Sequence, residues 1–236
     1  MTRLNLSLAV PALNLALDEA LLLAAEEDGG PEVLRLWESP TPMVVLGAGG
    51  SVAIDVNRAA CEADGVPILR RSSGGGTVLL GPGCLAFSLI LRMDRAPGLN
   101  MIQPSTRYVL NRTLNALRLP DAVVAGTSDL AVNGRKFSGS AQQRKRTHFL
   151  HHATLLFNCD FDHVAKYLNA PERKPDYRGD RGHTDFLMNL PFPVVELKLR
   201  LIEEWQPAGE YRDVPLDRAE QIANEKYRRD EWNFRR

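Results

Sequence analysis

An α+β fold, a mostly antiparallel sheet flanked by helices, is what this 236-residue sequence predicts. Three observations carry that reading. Short apolar runs crowd the middle of the chain. They follow one another across tight Gly, Pro and Asn turns instead of alternating with helices as βαβ units do. The longer helical periodicities fall mainly toward the two ends.

In chain order, residues 12–28 place Leu13, Leu17, Ala20, Leu21 and Ala24 on one helical face, and Gly29-Gly30 stops that helix. Apolar runs at 33–37 and 43–46, separated by Pro40 and Pro42, read as adjacent strands with a tight link. Asp55 is suited to cap a short helix running to Ala63, and Asp64-Gly65 turns the chain into a strand at 66–70. Strands at 77–80 and 85–92 meet across Gly81-Pro82-Gly83, and a helix fits 105–117. Asn133-Gly134, between strands at 129–132 and 135–139, is the strongest hairpin signal, because both residues accept the positive φ of a type I′ turn. A strand at 151–158 and a helix at 162–168 follow. Residues 169–183 read as loop, and amphipathic helices near 194–205 and 217–230 close the chain. Residues 1–236 thus read as a single domain, with 190–236 its helical C-terminal portion.

Lys plus Arg and Asp plus Glu are both 29, so nothing in the balance argues for nucleic-acid binding. The basic residues cluster locally, at Arg70-Arg71, Arg135-Lys136 and Arg144-Lys145-Arg146, which suits a small anionic ligand. Cys61, Cys84 and Cys159 are far apart and form no CxxC, as expected in a reducing compartment. Polar residues interrupt the N-terminal apolar stretch, so neither a signal peptide nor a membrane span is read, and the expected location is the cytoplasm. His148, His151 and His152 lack a completing carboxylate or Cys, and neighbouring strand residues face opposite ways; metal ligation by them is not expected.

The stretch Gly47-Ala48-Gly49-Gly50-Ser51-Val52 after an apolar run imitates a dinucleotide fingerprint. Val52 holds its third glycine position, and no further βαβ units follow, so it reads as a loop between strands. Two other segments carry chemistry. In Arg70-Arg71-Ser72-Ser73-Gly74-Gly75-Gly76-Thr77, consecutive glycines let backbone approach a ligand, and the arginines supply charge for phosphate or carboxylate. The plain alternative is a wide glycine turn with surface arginines. In the second segment, 126–142, alternation about the Asn133-Gly134 turn brings Asp129 and Lys136 close on paired strands. A lysine there stabilises charge developing on a phosphoryl group, and an acid can hold Mg²⁺; alone, Lys136 is equally a solvated hairpin lysine.

Together RRSSGGGTV (70–78), GTSDLAVNGRKFSGSAQ (126–142) and HHATLLFN (151–158) resemble the catalytic-domain motifs of lipoate–protein ligases. Residues 14–20 resemble that family's first helix and 231–234 the end of its catalytic domain. The resemblance implies a fold like that of class II aminoacyl-tRNA synthetases and biotin–protein ligases. It implies a chemistry in which lipoate or octanoate attacks ATP, giving an acyl-adenylate that a lysine of a lipoyl domain then opens. Carried over by position, Lys136 grips the acyl and α-phosphate oxygens. Arg70, Arg71, Ser73, Gly74, Gly75, Gly76 and Thr77 line the acyl and adenylate pocket, with Ser138, Gly139, Ala141, His152 and Thr154. Asp129 serves Mg²⁺ or the adenylate. The implied partners are lipoyl domains of 2-oxoacid dehydrogenase complexes or the glycine cleavage H protein.

The match has departures. Gly47–Ser51 lacks the usual Gly-Arg or Gly-Tyr and Gln, Ser128 replaces Asn, and Ala153 replaces Gly. Leu80-Gly81-Pro82-Gly83 is closer to the related octanoyltransferases. The chain ends at Arg236 without the family's accessory domain, which leaves open a separate accessory chain. Two further readings stay open: an octanoyl or lipoyl transferase acting from acyl carrier protein, with Cys84 the cysteine nearest the pocket, and a non-catalytic lipoyl-binding homologue.

Overall fold

A computed structural model describes residues 1–235. Its strands are β1 (Thr2–Asn5), β2 (Val33–Trp37), β3 (Met43–Leu46), β4 (Ile68–Arg70), β5 (Val78–Leu80), β6 (Cys84–Arg92), β7 (Ala122–Ala125), β8 (Asp129–Val132), β9 (Arg135–Arg144) and β10 (His148–Leu156). The helices are α1 (Pro11–Glu27), α2 (Val52–Asp55), α3 (Arg58–Asp64), α4 (Ile102–Leu117), α5 (Phe161–Tyr167), α6 (His183–Phe186), α7 (Val194–Trp205), α8 (Leu216–Ile222) and α9 (Asp230–Asn233).

Seven strands form one sheet in the order β1-β2-β6-β10-β9-β8-β7, antiparallel except for the β1–β2 pair. The other three form a small sheet, β4-β3-β5, with β3–β4 parallel. The α+β expectation holds. The large sheet separates two cores, and β6 shows how. Phe87, Leu89 and Leu91 pack with α4 and α7 on one face, whereas Ala86 and Ile90 pack with α1 and the small sheet on the other.

Two strand pairings differ from the sequence reading. Neither 33–37 with 43–46 nor 77–80 with 85–92 forms a hairpin; in each case one member joins the large sheet and the other the small one. Turn residues announce that a strand ends, not which neighbour the next will find. Only β7 through β10 run as consecutive antiparallel neighbours. There the Asn133-Gly134 turn has φ of 49° and 72°, as the type I′ reading requires. The strands at 2–5 and 122–125 had no reading of their own.

Helix α1 departs too. It lies between the large sheet and the C-terminal helices, so Asn14, Asp18 and Glu19 are buried with the leucines, while Leu13 and Ala24 are only partly covered. The helix after the small sheet's first strand is capped by Asn57, whose side chain accepts from the Ala60 amide, and not by Asp55. The closing helix at 217–230 is three pieces: α8, a π-helical turn at Ala223–Tyr227, and α9.

Candidate active site

The Arg70–Thr77 segment leaves β4 and crosses the start of the 47–50 loop so closely that a Cβ on Gly47 would sit 1.9 Å from the Gly75 carbonyl oxygen. Glycine at 47 is therefore a packing requirement of the crossing, which accounts for part of the dinucleotide-like pattern. Arg71 shapes the loop from within. Its guanidinium donates to the Gly74 and Gly76 carbonyls at 2.6 and 2.8 Å, to Ser73 Oγ at 2.9 Å and to the Val45 carbonyl at 3.2 Å. Burial pulls its pKa down to about 10, which still leaves a cation at neutral pH. With carbonyls turned toward Arg71, the exposed amides of Gly74, Gly75 and Gly76 donate to no described residue.

Arg70 does something else. It is fully buried, and its guanidinium donates to the carbonyls of Gly47, Gly50, Trp232 and Asn233. The expectation that it faces phosphate or carboxylate is corrected: it ties the 47–50 loop to the C-terminal segment. Asn233 Oδ1 accepts from the Arg70 amide and Trp232 Nε1 donates to its carbonyl, closing the clamp.

Lys136 emerges near the start of β9. Its Nζ lies 2.7 Å from Asp129 Oδ1 on β8, as strand alternation predicted. A bulge between Leu130 and Ala131 sets the register, and a Cβ on Gly139 would come within 2.8 Å of Nζ, so this lysine folds back over a glycine. Its backbone is fixed from outside by Met188, whose amide donates to the Lys136 carbonyl at 2.9 Å. Asp129 Oδ2 accepts from Tyr177 at 2.8 Å, so both carboxylate oxygens are engaged. Among the described residues no cluster of three His, Cys, Asp or Glu side chains gathers to hold a metal. Asp129 orients the lysine through this ion pair.

Behind the loop runs a buried polar chain that the sequence did not announce. Arg35, with no exposed surface, donates to Asp18 Oδ1 at 2.7 Å, and Ser88 donates to Asp18 Oδ2 at 2.7 Å. His152 Nδ1 lies 3.8 Å from the same oxygen, and its Nε2 is 2.6 Å from Ser73 Oγ. Burial opposes ionisation of Asp18, yet the Arg35 charge with the His152 and Ser88 bonds holds its carboxyl below the usual range. Burial, then the charge of Arg71, pushes His152 below its ordinary value and keeps it neutral at pH 7. His151 points the other way, to Gln142, and burial takes it down to about 3. The only signal in the sequence was an Asp and an Asn inside an apolar helix.

Two spaces open beside these groups. A cleft of about 730 Å³ is walled by Asp129, Lys136 and Ser138, by Thr77, and by Arg173, Lys174 and Arg178 from the 169–183 segment. A slot of about 140 Å³ runs inward between Leu15, Trp37, Val45 and Ala86, with Ala141 and His152 on its wall. Gly76, Thr77, Asp129, Lys136, Gly139 and Thr154 border both, so the cleft and the slot meet at the lysine. Ser138 Oγ is buried on the cleft wall and has no hydrogen-bond partner among the described residues. Of the residues predicted for the site, Arg70, Ser73 and Gly74 line neither space; Ser73 reaches the slot wall through His152, and the others border the cleft, the slot or both. The site adds Trp37, Tyr177 and the cationic segment, none of which the motifs contained.

The cysteines are not activated. Cys84 is buried, and burial, reinforced by Cys159 and Glu38, drives its thiol far above the ordinary value; Cys159, on the cleft wall, is pushed up to about 11 by burial and Asp160. A thiolate nucleophile is not available at neutral pH.

Comparison with known proteins agrees. The lipoyl protein ligase A/B catalytic domain family model matches residues 10–192. The probable lipoate-protein ligase A of Mycoplasma pneumoniae is 32% identical over 95% of this chain and 68% of its own length. Lipoate–protein ligase 1 of Staphylococcus aureus is 29% identical over 98% of this chain and 72% of its own length. In structure, the bi-partite lipoate protein ligase of Thermoplasma acidophilum superposes with a TM-score of 0.83 at 22% identity, covering 99% of this chain and 95% of that one. A lipoate-protein ligase A bound with ATP gives 0.78 at 22% identity, over 99% and 98%. The chain therefore belongs to the lipoyl protein ligase A/B catalytic-domain family and is an enzyme of the lipoate–protein ligase type.

Proposed function

We propose that this protein activates lipoate or octanoate with ATP and transfers the acyl group to a lysine of a lipoyl domain. The observation that carries the reading is the meeting of an apolar slot and a cation-rich cleft at one lysine. The slot takes the acyl chain, whose burial drives binding, and its carboxylate is then delivered to the junction. The cleft takes the nucleotide, with its phosphates toward Lys136, Arg173 and Lys174.

A carboxylate oxygen attacks the α-phosphorus, a new P–O bond forms, and the bond to the β-phosphate breaks with pyrophosphate leaving. Charge that builds on the acyl and α-phosphate oxygens meets the Lys136 ammonium, held in place by Asp129, and the free amides of Gly74–Gly76. Neutral His152 bonds Ser73, and through it Arg71, so the loop keeps its shape as charge shifts. The acceptor amine, in its neutral form, then attacks the acyl carbonyl. AMP leaves, an amide forms, and the amine's proton is lost. Mg²⁺ accompanies ATP on its phosphates as part of the substrate.

The Thermoplasma structure pairs a ligase with an E2 lipoyl domain, which supports a lipoyl domain of a 2-oxoacid dehydrogenase complex as acceptor; the glycine cleavage H protein offers the same lysine chemistry. That ligase is described as bi-partite, which supports a separate accessory chain here also. These substrates imply the cytoplasm; among the described residues no helix is long and apolar enough to cross a membrane. The test is lipoate- or octanoate-dependent ATP–pyrophosphate exchange, with and without a candidate accessory chain. Exchange supports adenylation. Its absence under both conditions, together with acyl transfer from acyl carrier protein without ATP, overturns it.

A further inference from the structure

One carboxylate in the large cleft has no part in the chemistry above. Asp55 closes α2 and lies on the cleft wall with Ile54 and Thr77. Freed from capping by Asn57, its side chain turns inward. Thr77 Oγ1 donates to its Oδ2 at 2.8 Å and the Ser51 amide reaches the same oxygen at 3.3 Å. Its Oδ1 accepts from no described residue.

The backbone that carries Asp55 is held on both sides. The Asn169 amide donates to the Asp55 carbonyl at 3.0 Å, and Asn169 Nδ2 to the Ile54 carbonyl at 2.8 Å. The Asn57 amide and Nδ2 donate to the carbonyls of Tyr167 and Lys166 at 2.9 and 3.1 Å. A fixed anion with one open oxygen therefore faces a site that binds an anionic substrate. It repels phosphates, which go to Lys136, Arg173 and Lys174, and so suits a hydrogen-bond donor of the nucleoside or a cation. Thr77, its partner, borders the slot as well as the cleft, which puts Asp55 within one residue of the reacting centre. The apolar side chains of Ile54, Leu79, Val164 and Leu168 supply a surface for a planar base beyond it. Between α-phosphate and base stands the sugar.

Resting on the ATP reading above, we propose that Asp55 accepts a hydrogen bond from a ribose hydroxyl and so selects ribonucleotides over deoxyribonucleotides. A carboxylate is the acceptor best matched to a sugar diol, and a hydrogen bond to a charged acceptor discriminates strongly against an analogue that lacks the donor. Asp55 is a specificity residue in this scheme, with no role in bond-making.

The experiment is lipoate-dependent pyrophosphate exchange with ATP, 2′-deoxy-ATP and 3′-deoxy-ATP, on wild type, Asp55→Ala and Asp55→Asn. At least one deoxy analogue should fall about tenfold or more in kcat/KM with wild type, chiefly through KM. Asp55→Ala should bring that ratio to near unity by losing ATP efficiency while the analogue's stays unchanged. Asp55→Asn, which keeps a neutral acceptor, should fall between. Equal use of all three nucleotides by wild type overturns the proposal. So does a uniform loss with all three in Asp55→Ala, the mark of a structural role, or a raised Mg²⁺ requirement at an unchanged ratio. Preference for ATP over GTP that vanishes in Asp55→Ala, with the sugar ratio unchanged, would reassign the carboxylate to the base. Absence of exchange with every nucleotide in wild type, both with and without a candidate accessory chain, together with acyl transfer from acyl carrier protein without ATP, overturns the ATP reading along with this one.

Discussion

Arg35→Met removes the cation on which the buried polar chain depends. Arg35 has no exposed surface, and its partner Asp18 has a side chain only 3% exposed. Besides Asp18, the guanidinium serves the Asn14 carbonyl at 2.7 Å, Asn14 Oδ1 at 2.8 Å and the Leu6 carbonyl at 3.2 Å. Methionine fills much of the space but leaves a buried carboxylate without its counter-charge, a loss of about 3–5 kcal/mol. Against a total stability of about 5–15 kcal/mol that is a large share. At about 2–4 °C per kcal/mol for a chain of this size, the melting temperature falls by roughly 6–20 °C. Equilibrium urea unfolding followed by tryptophan fluorescence reads it directly, since the guanidinium sits 5.0 Å from the Trp37 ring centroid.

The pH dependence supplies a second readout. In wild type the Asp18 pKa is depressed below 3.8, so its contribution is present above that value and lost as pH falls through the folded pKa. In Arg35→Met burial acts unopposed by that charge, the folded pKa rises above 3.8, and stability is lost as pH rises through it. Between mildly acidic and neutral pH, Asp18 therefore adds no slope in wild type, whereas in Arg35→Met stability falls as pH rises. The double variant Asp18→Leu/Arg35→Met should be more stable than Arg35→Met alone, because no buried charge is left unpaired. A loss below about 1 kcal/mol, or strict additivity in the double variant, refutes the reasoning.

Lys136→Ala should lower acyl-adenylate formation by about a hundredfold or more while unfolding free energy changes by no more than about 1 kcal/mol, read by pyrophosphate exchange and urea titration. Gly47→Ala should destabilise the protein by about 1–3 kcal/mol and impair exchange, because its Cβ would meet the Gly75 carbonyl; a variant as stable and active as wild type contradicts the crossing. Cys84→Ala and Cys159→Ala should each still modify a lipoyl domain, seen as the acyl mass shift on the acceptor, whereas loss of modification in a folded Cys84→Ala would restore the thiol mechanism.

What the sequence disclosed and what it hid divide along physical lines. The Asn133-Gly134 turn was legible because its φ requirement is local, and from it followed the approach of Lys136 to Asp129. The glycine loop and His152 were legible through motif order. Sheet membership was not, because β2 and β3 are adjacent in the chain yet pair with strands far away. Arg70 illustrates a second limit: a cation beside glycines reads the same whether it will face phosphate or backbone carbonyls. The carbonyls it found belong partly to Trp232 and Asn233, some 160 residues downstream. Asn14 and Asp18 read only as polar interruptions of an apolar stretch, because a helix buried on nearly every side differs from a one-sided helix only in what packs against it.

The claim on which the rest depends is that slot and cleft meet at Lys136 and divide one acyl-adenylate between them. A crystal structure with a non-hydrolysable acyl-sulfamoyl adenosine tests it most directly. The account predicts the acyl chain in the slot between Trp37, Val45 and Ala86, the nucleoside in the large cleft, and Lys136 Nζ within hydrogen-bonding distance of the sulfamate linkage. An acyl chain in the large cleft, or a linkage out of reach of Nζ, contradicts it.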